Sequence, residues 1–259
     1  MKITVVKTRP MLPPKDDLYS LIKESFLANK IEIKEKSVIV ITSKVVAIGQ
    51  GRCIKIEDDK TPEQLRAIKD KIIKKEADYY IDRKYVPEQR VILTIKNNIL
   101  IPTSGIDESN AMGYYILWPQ KPFLEAKKVY DFMRKEFKLK KIGIIFSDSH
   151  TTPLRNGIGG LGLAYYGFNP LRDYRGKKDI FGRTLKMTQT NIVDSLADVA
   201  VFEMGEGKEQ TPIVIIEDIK GIEFGFDSIK NNPLIIDKKI DIYAPLIKGA
   251  KWQKGGNKK

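Results

Sequence analysis

Three acidic residues stand where regular structure should stop. Asp107 and Asp148 each follow an apolar run, and Glu206 lies between Gly205 and Gly207. Ends of elements are where binding groups are mounted on a rigid frame. Hard cations such as Mg²⁺ and Mn²⁺ take oxygen ligands, and when they also hold nucleotide phosphates they use one or two carboxylates with hydroxyls and water. Asp107, Asp148, Glu206 and the hydroxyl of Ser149 supply such a set. Asp also caps turns and helices, so spacing alone leaves both roles open for Asp107 and Asp148. His150, the single histidine, suits proton transfer or orientation of a substrate carboxylate, and equally a local hydrogen bond. With one His and one Cys in the chain, zinc is not expected.

Two further patterns carry rival chemistries. Gly157-Ile-Gly-Gly-Leu-Gly162 has the spacing of a dinucleotide loop, with Asp179 near the position of a ribose-binding acid. In a dinucleotide fold the glycines follow the strand at once, whereas here ten residues, Pro153 among them, separate them from Phe146. No phosphate loop of the G-x-x-x-x-G-K-[ST] type is present. Arg172, Arg175, Lys177, Lys178 and Arg183 surround Asp173 and Asp179, a cluster suited to an anionic substrate or to an Arg/Asp network that fixes a loop.

The elements that must position these residues alternate between strand and helix, which predicts a mixed α/β (α+β) fold. Asp16-Asp17 precede a helical stripe of Leu18, Leu21, Ile22 and Phe26, and Val38 to Thr42 is a buried strand that runs into Ser43-Lys44. Thr61 and Gln64 form a capping-box pattern around Pro62, opening a helix with Leu65, Ile68, Ile72 and Ile73. Asn97-Asn98 between two apolar runs predicts a hairpin, whose second strand delivers the polar loop Thr103 to Asn110. A helix with Phe123, Ala126, Val129, Tyr130 and Met133 leads to a strand from Ile142 to Phe146, expected to end at Ser147-Asp148-Ser149-His150. Thr190 to Met204 is expected as a helix with Ile192, Val193, Leu196, Val199 and Ala200 inward, followed by the strand Pro212 to Ile216.

Length and composition bound the rest. A chain of 259 residues with 42% hydrophobic residues and a charge of +13 is neither a disordered tail nor a disulfide miniprotein. Charges interrupt every apolar run before membrane-spanning length, the start is too polar for a signal peptide, and the lone Cys53 fits a reducing compartment. A cytoplasmic location is the expectation. The lysines are scattered without an aromatic stripe, so no nucleic-acid partner is expected, although a basic nucleic-acid-binding module stays the rival that the charge would favour. The Lys- and Gly-rich tail from Lys248 is expected to be frayed.

The motifs taken together resemble the coenzyme F420:L-glutamate ligase family and its branch thought to glutamylate folate. Over about residues 3 to 221 they occur in the family's order: Ser43-Lys-Val-Val with Gly51-Arg52, Gly105-Ile-Asp-Glu-Ser-Asn110, Ser147-Asp-Ser149, Pro170-Leu-Arg-Asp-Tyr-Arg-Gly176 with Lys178-Asp-Ile-Phe-Gly-Arg183, and Met204-Gly-Glu-Gly207. The resemblance implies a two-part mixed-sheet domain over residues 1–221 that forms an intertwined homodimer, with 222–259 as a partly flexible C-terminal extension.

It also implies an enzyme that joins L-glutamate to a carboxylate-bearing cofactor, folate or F420-0, through an acyl phosphate made from GTP or ATP. Two Mg²⁺ or Mn²⁺ sites follow from it, with Asp107 and Asp148 on one and Ser149 and Glu206 on the other, and K⁺ as a further cation. Met11, Leu12, Ser43, Lys44, Asn110, Met204, Gly205, Gly207 and Thr211 would line the nucleotide. His150 and Arg155 are the candidate catalytic residues, and Arg172 and Arg175 the candidate substrate contacts. Two departures stand out: Ile48 replaces a nucleotide-contacting lysine of the F420 branch, and His150-Thr-Thr-Pro153 replaces an Asn-Gly-Arg type continuation. Both favour the folate-like branch.

Overall fold

The computed structural model describes residues 1–256. In chain order the elements are β1 (Lys2–Val6), α1 (Leu18–Ala28), β2 (Val38–Thr42), α2 (Ser43–Gly49), β3 (Cys53–Lys55), α3 (Pro62–Glu76), β4 (Tyr79–Ile81), β5 (Leu93–Lys96), β6 (Ile99–Pro102), β7 (Tyr114–Ile116), α4 (Pro122–Glu136), β8 (Gly143–His150), β9 (Gly159–Tyr166), β10 (Leu171–Asp173), β11 (Gln189–Asn191), α5 (Ile192–Met204), β12 (Ile213–Glu217), α6 (Ala244–Gly249) and β13 (Gln253–Lys254). This is the mixed α/β class that the alternating pattern predicts.

The larger sheet has the order β1-β12-β2-β8-β9, with β2 and β8 parallel and the other neighbours antiparallel. Strand alternation divides its side chains between two cores. Ile39, Ile41, Ile144, Phe146, Ile213 and Ile215 face α1, α2 and α4, while Val38, Val40, Ile145, Tyr165, Val214 and Ile216 face α5. Buried on both faces, β2 and β12 therefore have the unbroken apolar sequences that marked them as strands. Burying each of these side chains contributes roughly 1.5–3 kcal/mol.

Local signals start the helices. The Asp17 carboxylate accepts from the N–H groups of Tyr19 at 2.9 Å and Ser20 at 3.2 Å, capping α1. Thr61 and Gln64 close the predicted capping box on α3. Of that helix's expected stripe Ile73 is fully buried, whereas Leu65, Ile68 and Ile72 are half-buried, because α3 packs chiefly through Ile73 on a small cluster of Ile92, Ile106, Tyr115 and Leu117 beside a second, four-stranded sheet of order β13-β4-β5-β6. The hairpin forms as expected: Asn97 and Asn98 take φ values of 51° and 64°, which a tight β5–β6 turn requires. Ile101, Trp118 and Leu163 pack together where the two sheets meet.

Four expectations need correction. The strand expected to end after Phe146 continues as β8 to His150, because Gly159 to Gly162 pair with it beyond a bulge between Phe146 and Ser147. Those glycines therefore lie inside β9 and not at a strand-to-helix turn, which removes the geometry needed for a dinucleotide loop. They are small to let α5 approach: a Cβ on Gly160 would stand 2.3 Å from the Ala197 carbonyl oxygen, and one on Gly162 would stand 2.2 Å from Val193. Val199 is half-buried, off the inward face of α5. The tail is not frayed through residue 256: β13 pairs with β4, and the N–H groups of Gly255 and Gly256 donate to Asp78 and Lys74 carbonyls at 2.9 and 3.0 Å. The last three residues of that expectation lie outside the described residues.

Candidate active site

At Ser43 the chain turns from β2 directly into α2, whereas β8, its parallel neighbour, runs on from Ser147 to His150 paired with β9 alone. The step leaves Asp148 and Ser149 on an open strand edge. Around it the turn after β1, the start of α2, the loop after β6 and the segment after α5 enclose a cavity of about 500 Å³. Asp107, Asp148, Ser149, Glu206, Lys44, Asn110, Met11, Leu12, Met204, Gly205, Gly207 and Thr211 all line it. Acids separated by a hundred positions are thus brought to one cavity, which spacing alone left open.

Lys44 is the charge at the centre. Its Nζ stands 2.6 Å from Asp107 Oδ2 and donates to the Ser109 carbonyl oxygen at 2.9 Å. Asp107 Oδ1 in turn accepts from the Ser109 N–H at 2.7 Å and its hydroxyl at 2.9 Å. Burial would raise the Asp107 carboxyl, but the Lys44 ammonium and the Ser109 donors outweigh it and hold it below the usual carboxylate range. Asp148 behaves oppositely. Its oxygens accept from the indole N–H of Trp118 and, at 3.0 Å, from the Ser149 N–H. Burial nevertheless pushes its carboxyl up to about 7, and repulsion from Asp107 adds to the push. Glu206 is also raised, first by burial, then by Asp107 and Glu209, against the pull of Lys44.

The loops are tied to one another. Asn110 donates to the Gly207 carbonyl oxygen at 2.8 Å, joining the Asp107 loop to the segment after α5, and Thr211 closes that segment on Met204 at 2.7 Å. Beside the acids the wall is apolar: Val45, Ile48, Val201, Met204 and Met112 line it. An acidic, oxygen-rich end next to an apolar slot can hold a cation-bound polyphosphate with a flat ring beside it.

A divalent cation fits the donor set. All donors are hard oxygens, burial raises the Asp148 carboxyl, and Asp107 stands near enough to repel it. Among the described residues no group of three or more His, Cys, Asp or Glu side chains is close enough to hold a metal by itself. Sites completed by phosphate oxygens do not need three such side chains.

The candidate catalytic residues His150 and Arg155 and the candidate substrate contacts Arg172 and Arg175 do not line this cavity. His150 is at the far end of β8, its Nδ1 3.1 Å from the Thr151 carbonyl oxygen and its ring close enough to act on Asp194. Arg155 is exposed in the β8–β9 connection. Arg172 bonds to the Lys220 and Gly221 carbonyls, and Arg175 pairs with Asp173 at 2.6 Å, so both are engaged in fixing their own loops. Sequence reasoning missed Trp118, Glu209 and the buried pairing behind the site. No local pattern around Trp118 announces that its N–H will meet a carboxylate thirty residues away.

Residues 7–218 match the family described as F420-0:Gamma-glutamyl ligase. The chain belongs to that family. It is similar to the coenzyme F420:L-glutamate ligase of Methanocaldococcus jannaschii, 32% identical over 233 residues that cover 86% of this chain and 90% of that protein. The ligase of the same name from Methanopyrus kandleri is 30% identical over 232 residues, 85% of this chain and 88% of that one. The one from Methanothermobacter thermautotrophicus is 27% identical over 252 residues, 92% and 96% of the two chains. Membership of the F420-0:gamma-glutamyl ligase family makes this chain an enzyme of the ligase class. Among the described residues no helix is long and apolar enough to cross a membrane.

Proposed function

We propose that this chain is a nucleoside-triphosphate-dependent γ-glutamyl ligase that joins L-glutamate to a carboxylate-bearing cofactor. The single observation that carries the reading is the convergence of Asp107, Asp148, Ser149 and Glu206 on the cavity that Lys44 and Asn110 also line. The relatives' name supports F420-0 as acceptor, and the apolar Ile48 in the slot together with His150 to Pro153 favours a folate; the assay therefore carries both.

A carboxylate is a poor electrophile, so the reading requires two steps. An acceptor carboxylate oxygen attacks the γ-phosphorus, the bond to the β-phosphate oxygen breaks, and an acyl phosphate and nucleoside diphosphate form. The glutamate amine then attacks the acyl carbon, phosphate leaves, and the amine proton passes to solvent. Asp107 and Asp148 would hold one Mg²⁺ or Mn²⁺, and Ser149 and Glu206 a second, with K⁺ a further candidate. Such ions supply charge neutralisation between phosphate and carboxylate. Lys44 adds a protein cation beside the same phosphates, Asn110 fixes the loop over them, and the enclosing segments exclude water from the acyl phosphate.

The β10–β11 hairpin arm leaves Ile180 and Phe181 about nine-tenths exposed, with Met187 at 81%. An apolar tip on an extended arm supports a homodimer in which the arm is covered by a second copy. That copy would also decide whether Arg155, Arg172 and Arg175 approach a substrate.

The test is direct. Purified protein is incubated with labelled glutamate, GTP or ATP, Mg²⁺ or Mn²⁺, and either F420-0 or tetrahydrofolate. The expected result is a glutamylated product with stoichiometric phosphate release that stops on chelation. No product from either acceptor would overturn the reading.

A further inference from the structure

We infer that Trp118 is a positioning residue, which sets the carboxylate of Asp148 and the loop of Asp107 in one fixed geometry for a divalent cation. The inference rests on the metal reading above and assigns a role to residues outside the cavity lining.

Trp118 is 1% exposed, and its indole N–H, a donor without acceptor capacity, is given to Asp148 Oδ2. The same edge of the ring presses on Gly105. A Cβ there would stand 2.1 Å from Nε1 and 2.2 Å from Cε2, so the chain passes the indole at a distance that only glycine permits. Gly105, at a φ of 68°, is two residues before Asp107. One ring thus touches both acids' supports: a hydrogen bond to one, backbone contact to the other.

The ring is itself held from behind. Arg52 Nε donates to the Trp118 carbonyl oxygen at 3.1 Å, and its Nη2 stands 2.6 Å from Glu76, which takes Lys96 Nζ at 2.7 Å. Lys96, 4% exposed, lies 5.5 Å from the indole centroid. A cation over the ring face draws electron density from the indole and strengthens its N–H as a donor. Buried ion groups of this kind bring little net stability over apolar residues of equal volume. Holding an indole in one orientation gives this group a use that an apolar replacement would not supply.

The test uses the full chain labelled with ¹⁵N-tryptophan. Its two tryptophans give two indole N–H signals, and Trp252, whose N–H donates to the Ile247 carbonyl oxygen at 2.7 Å, is the internal control. With GTP or ATP already bound, Mg²⁺ is expected to move the Trp118 signal with the midpoint found by calorimetry and to leave the Trp252 signal still. Trp118→Phe, which keeps a ring and lacks the N–H, is expected to weaken Mn²⁺ binding about 10- to 100-fold. Lys96→Met is expected to shift it in the same direction and by less. If wild-type protein holding GTP or ATP binds neither ion, the metal reading falls and takes this inference with it. If it binds them while the Trp118 signal stays still, or while Trp118→Phe binds equally well, the inference alone is overturned. Should Trp118→Phe not fold, the wild-type titration decides.

Discussion

Replacing Asp148 by Asn should stabilise the metal-free protein at alkaline pH and lose that advantage in mild acid. Burial pushes the Asp148 carboxyl from its ordinary 3.8 to about 7. The folded state therefore binds the proton more tightly than the unfolded one. Wild-type stability must then rise as pH falls from about 7 toward 4, and the full cost of the buried charge is present above 7. At about 1.4 kcal/mol for each tenfold change in proton affinity, that cost is at most about 4 kcal/mol at pH 8, and water in the cavity reduces it. Asn removes the charge but keeps one acceptor where Asp148 used two, for Trp118 and Ser149. Leaving one buried donor unmet costs about 1–3 kcal/mol. The charge term wins at pH 8, so Asp148→Asn should melt higher in EDTA by about 2–8 °C at about 2–4 °C per kcal/mol. By pH 5 the charge cost has fallen to about 1.5 kcal/mol, and the variant should melt level with wild type or below it. Thermal melts in EDTA across pH 5 to 8 give the answer. A difference between the two proteins that does not change over that range would refute the reasoning.

Three further outcomes follow from other parts of the molecule. Glu76→Gln leaves Lys96 buried without its carboxylate and should cost about 3–5 kcal/mol in urea unfolding; Glu76 is held below its ordinary 4.5 by Lys96 and Arg52 against the opposing push of burial, so wild-type protein should also lose this contribution as pH falls below about 4.5. Gly160→Ala drives a methyl to 2.3 Å from the Ala197 carbonyl oxygen and should destabilise by about 1–3 kcal/mol, with α5 exchanging its amide protons faster. Lys44→Met removes the ammonium from Asp107 and from the phosphates proposed beside it; nucleotide affinity should drop about tenfold or more by calorimetry, and the melting temperature should fall because Asp107 loses its counter-charge.

Most of the frame was legible because its signals are local. Continuous apolar runs marked β2 and β12, Asn97-Asn98 marked a turn, and Thr61 with Gln64 marked a helix start. What misled was the assumption that polarity ends a strand: Ser147 to His150 stay extended because β9 supplies partners, a long-range fact with no imprint on those four residues. The glycines of β9 misled for a related reason, since their small size answers to α5 packed against them and not to a phosphate. At the site, their places at the ends of elements singled out Asp107, Asp148 and Glu206, the resemblance implied metal roles for them, and the fold brings them to one cavity. Lys44 as a counter-charge and Trp118 as a support depend on distances across the fold, which no spacing along the chain encodes.

The way the sheets close has a kinetic consequence. Strand β1 is hydrogen-bonded to β12, with Lys2 opposite Glu217, and β4 to β13, with Tyr80 opposite Gln253. β1 has no partner other than β12 and must wait unpaired on a ribosome until residues 213–217 have emerged, whereas β2 and β4 can meet β8 and β5 earlier. Such a topology folds slowly and late, and its dependence on chaperones should be greatest just before β12 leaves the exit tunnel.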